Sequence, residues 1–460
     1  MLKKYFGNRA FYSMVLTILL PIVIQNGFTN FVNLLDNVMV GRLGTEEISG
    51  VSIINQLVFV YNLCIFGIMS GAGIFTAQFV GSCNTEGVRN TFRFKVISGL
   101  LINIVVISVL TLYGRQLAGL YLQGTADGGD LQKTMEFALS YLRIMLFGMP
   151  FFMLVQAYSS TLRESGETLV PMKAGIAAVL VNFSFNWILI FGKLGFPALG
   201  VRGAAFATVL SRLVELAIVA LWTHTHTDSM LFAKGLYSTL LVPSGLSARI
   251  IKKGMPLFLN EVFWATGMAI MTQCYSMRGL NTVAGFNIGS TMNNLCTVVL
   301  YANGAAIGII VGRLLGASRF EEAYDTDRKM IVFSALLSFA LSFLIYAVSG
   351  LFPLLYNTTQ AARRIASAVI VIQAAFLPLA ATRNACYYTL RSGGKTITTF
   401  LFDSGFMWAV NVPTAFILSR FTSMSAPFMF LCIQIGDLFK AALGVFLVRR
   451  KTWIRNFAEN

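Results

Sequence analysis

A chain of 460 residues is long enough for two or three soluble domains. However, 56% of it is hydrophobic and only 12% charged, with a mean hydropathy of +0.71, whereas soluble domains carry about 25% charge and have no interior for so much apolar surface. Soluble domains, disorder and a disulfide scaffold (39 Phe, six Cys) are thereby excluded, and a polytopic membrane protein remains.

At 1.5 Å per residue, about 20 mostly apolar residues carry a helix across the hydrocarbon core. Windows of that kind fall at 12–39, 51–80, 94–113, 136–162, 170–192, 203–223, 252–276, 285–314, 331–352, 365–390, 398–418 and 425–448, so twelve helices are predicted. Runs of this length are unlike the alternating stretches of about ten residues that make a β-barrel. The first window is too long for a signal-peptide core and is read as a retained helix.

Basic residues concentrate in the loops of one side: Lys3, Lys4 and Arg9, then Arg89, Arg93 and Lys95, Lys252 and Lys253, and finally Arg449, Arg450 and Lys451. The opposite loops hold fewer, such as Arg42, Arg115 and Arg202. Both termini are therefore expected in the cytoplasm. The same bias accounts for the formal charge of +16, which lies against anionic lipid and calls for no nucleic-acid partner.

The six cysteines form no C-x-x-C pair and read as free structural thiols. His224-Thr225-His226 with Asp228 looks like a metal cluster but lacks a third strong ligand at a fixed spacing, and reads as a solvated loop. No phosphate-cradling G-x-x-x-x-G-K-[ST] loop occurs. Neither an enzyme activity nor a cofactor is expected.

The chain repeats itself. A shift of 235 residues brings Pro21 onto Pro256, Gly50 onto Gly285, Gly73 onto Gly308, Gly81 onto Gly316 and Arg93 onto Arg328. After a shortened loop the shift becomes 228, and Pro150 meets Pro378 while Thr161-Leu162-Arg163 meets Thr389-Leu390-Arg391. Six spans separate the copies, and an even number preserves orientation, so the repeats are parallel. The predicted fold is an all-α membrane protein with an amino-terminal six-helix lobe at 1–223, a cytoplasmic linker at 224–251 and a carboxy-terminal lobe at 252–460. Two such bundles around a shared cleft suit an alternating-access carrier.

A charge inside the bilayer costs several kcal/mol and needs a partner or a role. Arg212 with Glu215, and Asp437 with Lys440, stand three apart on one helix face and are expected to neutralise each other. Asp403 is expected to reach the interface, and Arg143 either snorkels or lines the cleft. Asp36, Glu261 and Arg383 remain. Asp36 has no basic residue within reach on its own helix, so it either takes up a proton or small cation or is a buried acid bonded to neighbouring helices. Glu261 is either functional or permanently paired with Arg383. Phe263, Trp264, Phe286, Phe376 and Trp408 could stack on a flat organic cation or serve as packing.

Four segments carry a family resemblance: DNVMVGRLGTEEISG at Asp36–Gly50, GAGIFTAQFVGS at Gly71–Ser82, TLRESGET at Thr161–Thr168 and GVRGAAFAT at Gly200–Thr208. In this order they resemble the MATE (multidrug and toxic compound extrusion) transporters over almost the whole chain. The resemblance implies a V-shaped, two-lobed fold and an antiporter driven by H⁺ or Na⁺ that exports amphiphilic organic compounds, cationic or zwitterionic. It implies a cation-coupling site at Asp36 with Asn182, Asn186 and Thr208; the family often has a second Asp where Asn186 stands here. Asn182 and Asn186, four apart, share a helix face. Glu261 resembles the seventh-helix acid of the NorM-like branch, whose tenth-helix acid is missing here, with Arg383 in that span instead. The expected setting is the prokaryotic cytoplasmic membrane, with lipid as the surrounding partner and a monomer as the working unit. A flippase for lipid-linked precursors or a dedicated metabolite exporter is the alternative, weakened by the scarcity of unpaired Arg.

Overall fold

The computed structural model describes residues 5–122 and 130–457, with nothing to state about the side chains of residues 33, 34, 37, 38 and 122. Lys3 and Lys4 lie outside the described residues. Among those described there is no strand, and twelve long helices follow one another.

In the first half these are α1 (Arg9–Gly41), α2 (Thr45–Gly81), α3 (Thr85–Leu122), α4 (Leu131–Glu164), α5 (Leu169–Phe191) and α6 (Val201–Thr225). In the second they are α7 (Ser244–Ser276), α8 (Leu280–Gly316), α9 (Phe320–Val348), α10 (Gln360–Ser392), α11 (Thr396–Phe421) and α12 (Ala426–Arg449). They overrun the apolar windows because polar residues beyond the hydrocarbon edge can continue the backbone ladder. α4 shows this at its start, where the Asp130 side chain accepts from the Gln132 and Lys133 N–H groups, satisfying donors that a helix end leaves open. Among the described residues, eleven helices are long and apolar enough to cross a membrane. The exception is α7, whose middle carries Asn260-Glu261.

The repeat is visible helix by helix. α1 and α7 are each 33 residues long, with Pro21 and Pro256 inside them. α2 and α8 are each 37 residues, and α4 and α10 hold Pro150 and Pro378. Where the ends of α2 and α8 cross, the contacts are reciprocal. A Cβ on Gly81 would lie 2.0 Å from the Arg313 carbonyl oxygen, and one on Gly316 would lie 1.9 Å from that of Gln78. Since Gln78 aligns with Arg313 and Gly81 with Gly316, each copy presents the same glycine to the same backbone position, as a two-fold relation requires.

The chain forms two compact units. One gathers the residues up to Val23, Ala77–Asn84 and the chain from Ile251 onward; the other gathers Ile24–Thr76 and Thr85–Ile250. The start of α1 and the end of α2 thus pack with the second half. In the first unit the core runs through α8, α9, α10 and α12, around Ile307, Val311, Leu315, Met330, Cys386 and Trp453. In the other, α6 packs on α4 and α5, and the buried Tyr61 hydroxyl donates to Met149 O at 2.8 Å. Residues 231–236 cover the start of α3, where Arg93 Nε donates to Leu236 O at 2.8 Å.

α11 departs from ideal geometry. Leu401–Gly405 and Met407–Asn411 are wound as π-helix, a form that recurs at functional positions. Asp403 lies in the first of these turns.

Candidate functional site

Intramembrane charges collect in two places, one in each half. In the first half, α5 and α6 form a tight hairpin. α5 stops at Gly192 in the left-handed region (φ 65°), where a Cβ would meet Ala198 N at 2.7 Å. Gly203 lies so close to α5 that a Cβ would stand 2.6 Å from the Leu189 carbonyl. Gly203 of GVRGAAFAT is therefore a packing device, and the approach it permits brings Thr208 to Asn182.

The result is a chain of polar groups ending at Asp36. Asn182 Nδ2 donates to Thr208 Oγ1 at 3.3 Å. Asn186 Nδ2 lies 3.1 Å from Asn182 Oδ1 and 2.6 Å from Asp36 Oδ1. Turned the other way, the Asn182 amide donates to the Asp36 carboxylate at 2.8 and 3.1 Å. Asn182 and Asn186 are 5% and 1% exposed, and the buried Asn186 Oδ1 has no hydrogen-bond partner among the described residues. A buried carbonyl oxygen left open beside a carboxylate is an acceptor waiting for a positive charge or a proton. One carboxylate, two amide oxygens and a hydroxyl make an all-oxygen set that suits a small hard cation and equally surrounds a protonated acid.

Two residues not singled out from the sequence, Tyr141 and Asn55, join this place, and so does Arg212, expected from the sequence only as the partner of Glu215. Tyr141 of α4 donates to Asn55 Oδ1 of α2 at 3.4 Å and lies beside Thr208 and Asp36. Arg212 is the positive charge acting on Asp36. It pairs with Glu215 across one helical turn at 2.7 Å, as their spacing predicts, and lies over the Phe152 ring. Thr208 and Arg212 are four apart, and that spacing was the available signal for Arg212; nothing local pointed to Tyr141 or Asn55.

The second half is built differently. The expected pairing of Asp437 with Lys440 on α12 does not occur. Asp437 pairs with Arg383 of α10 and accepts from Asn411 Nδ2 at 3.3 Å. Lys440 turns to Asp403 of α11, at 2.7 Å. Asp403 is thus no interface residue, and Asn260 Nδ2 donates to its other oxygen at 3.1 Å. Neighbouring helices supply partners that shorten the reach and neutralise four charges at once. Ser404 closes the network by donating to Asn260 Oδ1 at 2.7 Å.

With Arg383 taken by Asp437, the Glu261–Arg383 pair is absent. Glu261 makes no ion pair or hydrogen bond among the described residues, and the charges acting on it are Arg391 and Asp403. Arg143 is exposed. Phe263, Trp408 and Phe286 are engaged in packing: Phe263 meets Phe400 and Trp408 edge-on, and Phe286 stacks on Tyr275 at 4.4 Å. His224 joins a hydroxyl chain, 2.9 Å from the Tyr158 hydroxyl, which lies 2.6 Å from that of Tyr237. His226 stacks on Trp222.

Comparison with known proteins agrees with this architecture. The MatE family model matches residues 21–188 and again 256–417, segments that start at Pro21 and Pro256, the pair related by the 235-residue shift. A probable multidrug resistance protein of Bacillus subtilis, YoeA, is 24% identical over 88% of this chain and 86% of its own. A probable multidrug resistance protein NorM of Thermotoga maritima is 24% identical over 94% and 91%. Among solved structures, an outward-facing multidrug resistance MATE family transporter superposes with a TM-score of 0.84 at 20% identity, over 98% of both chains. A mutant of the Vibrio cholerae MATE transporter VcmN superposes with 0.86 at 17% identity, over 98% of this chain and 99% of that one. At these identities the superpositions establish the fold.

Proposed function

The chain belongs to the MatE family and is an integral membrane protein; from that premise we propose that it exports amphiphilic organic compounds, cationic or zwitterionic, by alternating access, driven by H⁺ or Na⁺ moving inward. Its lobes are residues 1–223 and 252–460, joined by a linker at 224–251. It works as a monomer in a prokaryotic cytoplasmic membrane with both termini inside.

The observation that carries this reading is the Asp36 cluster. A carboxylate bonded to Asn186 at 2.6 Å, with the buried Asn186 Oδ1 open beside it, can bind and release one positive charge without any ion pair having to break. Asp36 takes the coupling ion, Asn182 and Asn186 supply or orient oxygen ligands, and Thr208 anchors Asn182. Uptake removes the negative charge of Asp36 and favours the outward-open state that releases substrate; loss of the ion restores it. Glu261 serves as a secondary acid, its charge unpaired by Arg383.

The test uses the purified chain in liposomes with an imposed pH or Na⁺ gradient and a fluorescent organic cation such as ethidium. Gradient-driven movement by wild type, lost in Asp36→Asn and largely kept in Glu261→Gln, is expected. Full export by Asp36→Asn would remove the coupling role from the first half. Absence of movement by wild type under either gradient would transfer the fold to a flippase or narrow metabolite exporter.

A further inference from the structure

The second half holds a buried acid that the cluster at Asp36 and the charge network around Arg383 both leave unused. Asp327 of α9 is 0% exposed. One of its carboxylate oxygens meets the Thr389 hydroxyl of α10, and the other, Oδ2, has no hydrogen-bond partner among the described residues. Among the described residues no positive side chain acts on it. Its basic neighbours Arg328 and Lys329 both turn to Asp325. The titratable group facing it from α10 is the Cys386 thiol, and α8, also packed on α9, brings no charge to bear.

Thr389 limits which form of the acid fits. Its hydroxyl has one hydrogen and lies within reach of two acceptors, Asp327 Oδ1 and Ala385 O, the latter at 3.0 Å. An ionised Asp327 would compete with that carbonyl for one hydrogen and leave a buried charge unanswered, an arrangement that costs several kcal/mol. A protonated Asp327 donates to Thr389 Oγ1, which then donates to Ala385 O, and both hydrogens are used.

The internal repeat sharpens the point. Thr161, aligned with Thr389 by the 228-residue shift, meets a buried cation instead. Lys95 Nζ lies 3.0 Å from Thr161 Oγ1 and is paired with Glu164 at 2.6 Å. The first half compensates its buried charge at this level; the second does not.

We propose that Asp327 is a proton-binding site of the second half, distinct from Asp36 and Glu261, which holds a proton in this conformation and exchanges it with water during the transport cycle. The ligand is H⁺ rather than a metal ion, because one carboxylate and one hydroxyl offer too few oxygens for a hard cation. The cycle in question is the export proposed above.

Infrared difference spectroscopy on the purified full chain, wild type against Asp327→Asn, is the direct test. A protonated-carboxyl C=O band present at neutral pH in wild type and missing from the variant is expected, and Thr389→Val should shift that band without removing it. In proteoliposomes a one-proton limb changes rate about tenfold per pH unit. Asp327→Asn should flatten one such limb, or, since Asn mimics the acid locked in its protonated form, arrest export at every pH. No band difference, or a pH profile superimposable on wild type, would overturn the proposal. If wild type exports and Asp36→Asn does too, the coupling role of Asp36 fails on its own, while the band and the profile of Asp327→Asn still decide this site. If wild type moves none of the probes, the absence or presence of the band decides whether the proton is bound there.

Discussion

The two halves share a template and use their acids in opposite ways. In the first, Asp36 sits among neutral amides and a hydroxyl, with Asn186 at 2.6 Å. In the second, Asp403 and Asp437 are each clamped to a cation, Lys440 and Arg383, and Glu261 is left beside the network. The duplication kept what packing demands, the paired prolines and the reciprocal Gly81 and Gly316 contacts, because a changed glycine there would collide with backbone. Charges had no such constraint. The surroundings of Asp36 could become a place where charge comes and goes, while Asp403, Lys440, Asp437 and Arg383 became a neutralised strut.

The contrast can be broken by experiment, most forcefully at the strut. Arg383→Ala strands Asp437 in a buried site and should destabilise the protein by about 3–5 kcal/mol, read as a large drop in Tm of the purified chain. Asp36→Asn, by comparison, should leave Tm nearly unchanged while removing export. A Tm loss in Asp36→Asn matching that of Arg383→Ala would mean that both halves are struts.

Next in size is Gly203→Ala. The new Cβ would stand 2.6 Å from the Leu189 carbonyl, and such overpacking costs about 1–3 kcal/mol. Because it pushes α6 from α5, export should fall further than stability does; transport and melting measured on one preparation would show it.

A smaller effect is expected at Glu261. With no ion pair to lose, Glu261→Gln should change stability by less than about 0.5 kcal/mol or raise it slightly, as removal of an uncompensated acid would. A fall in Tm comparable to that of Arg383→Ala would make Glu261 part of the strut.

Smallest of all is the cap of α4. Asp130 accepts the Lys133 and Gln132 backbone N–H groups, and the Lys133 bond is the chief reason its carboxyl lies below the usual carboxylate range. A depressed acid adds stability above that usual range and loses it as pH falls through the lowered value. Asp130→Ala should therefore lower Tm slightly at neutral pH and not at all in strong acid, a difference that paired melts at the two pH values would detect.

Much of this was readable in one dimension. Spans of about 20 apolar residues follow from bilayer thickness, and Pro21, Pro150, Pro256 and Pro378 announced the repeat before any helix was seen. Asn182 and Asn186 share a face because four residues make about one turn, so their meeting with Asp36 needed only the family pattern and helical period. The second half misled for an instructive reason. Asp437 and Lys440 stand at a spacing that permits pairing, yet Arg383 and Asp403, 54 and 37 residues away in sequence, offer better partners. Tyr141, Asn55 and the π turns of α11 left no local signal.

What the sequence determined by itself is what composition and period control: a membrane-spanning helical chain, two parallel copies, and an acid on α1 with no basic neighbour on its own helix. What tertiary structure alone decided is who neutralises whom. In a low-dielectric interior the energy of a charge is set by the nearest opposite charge in space, and for Arg383, Lys440 and Asp327 that neighbour, or its absence, belongs to other helices.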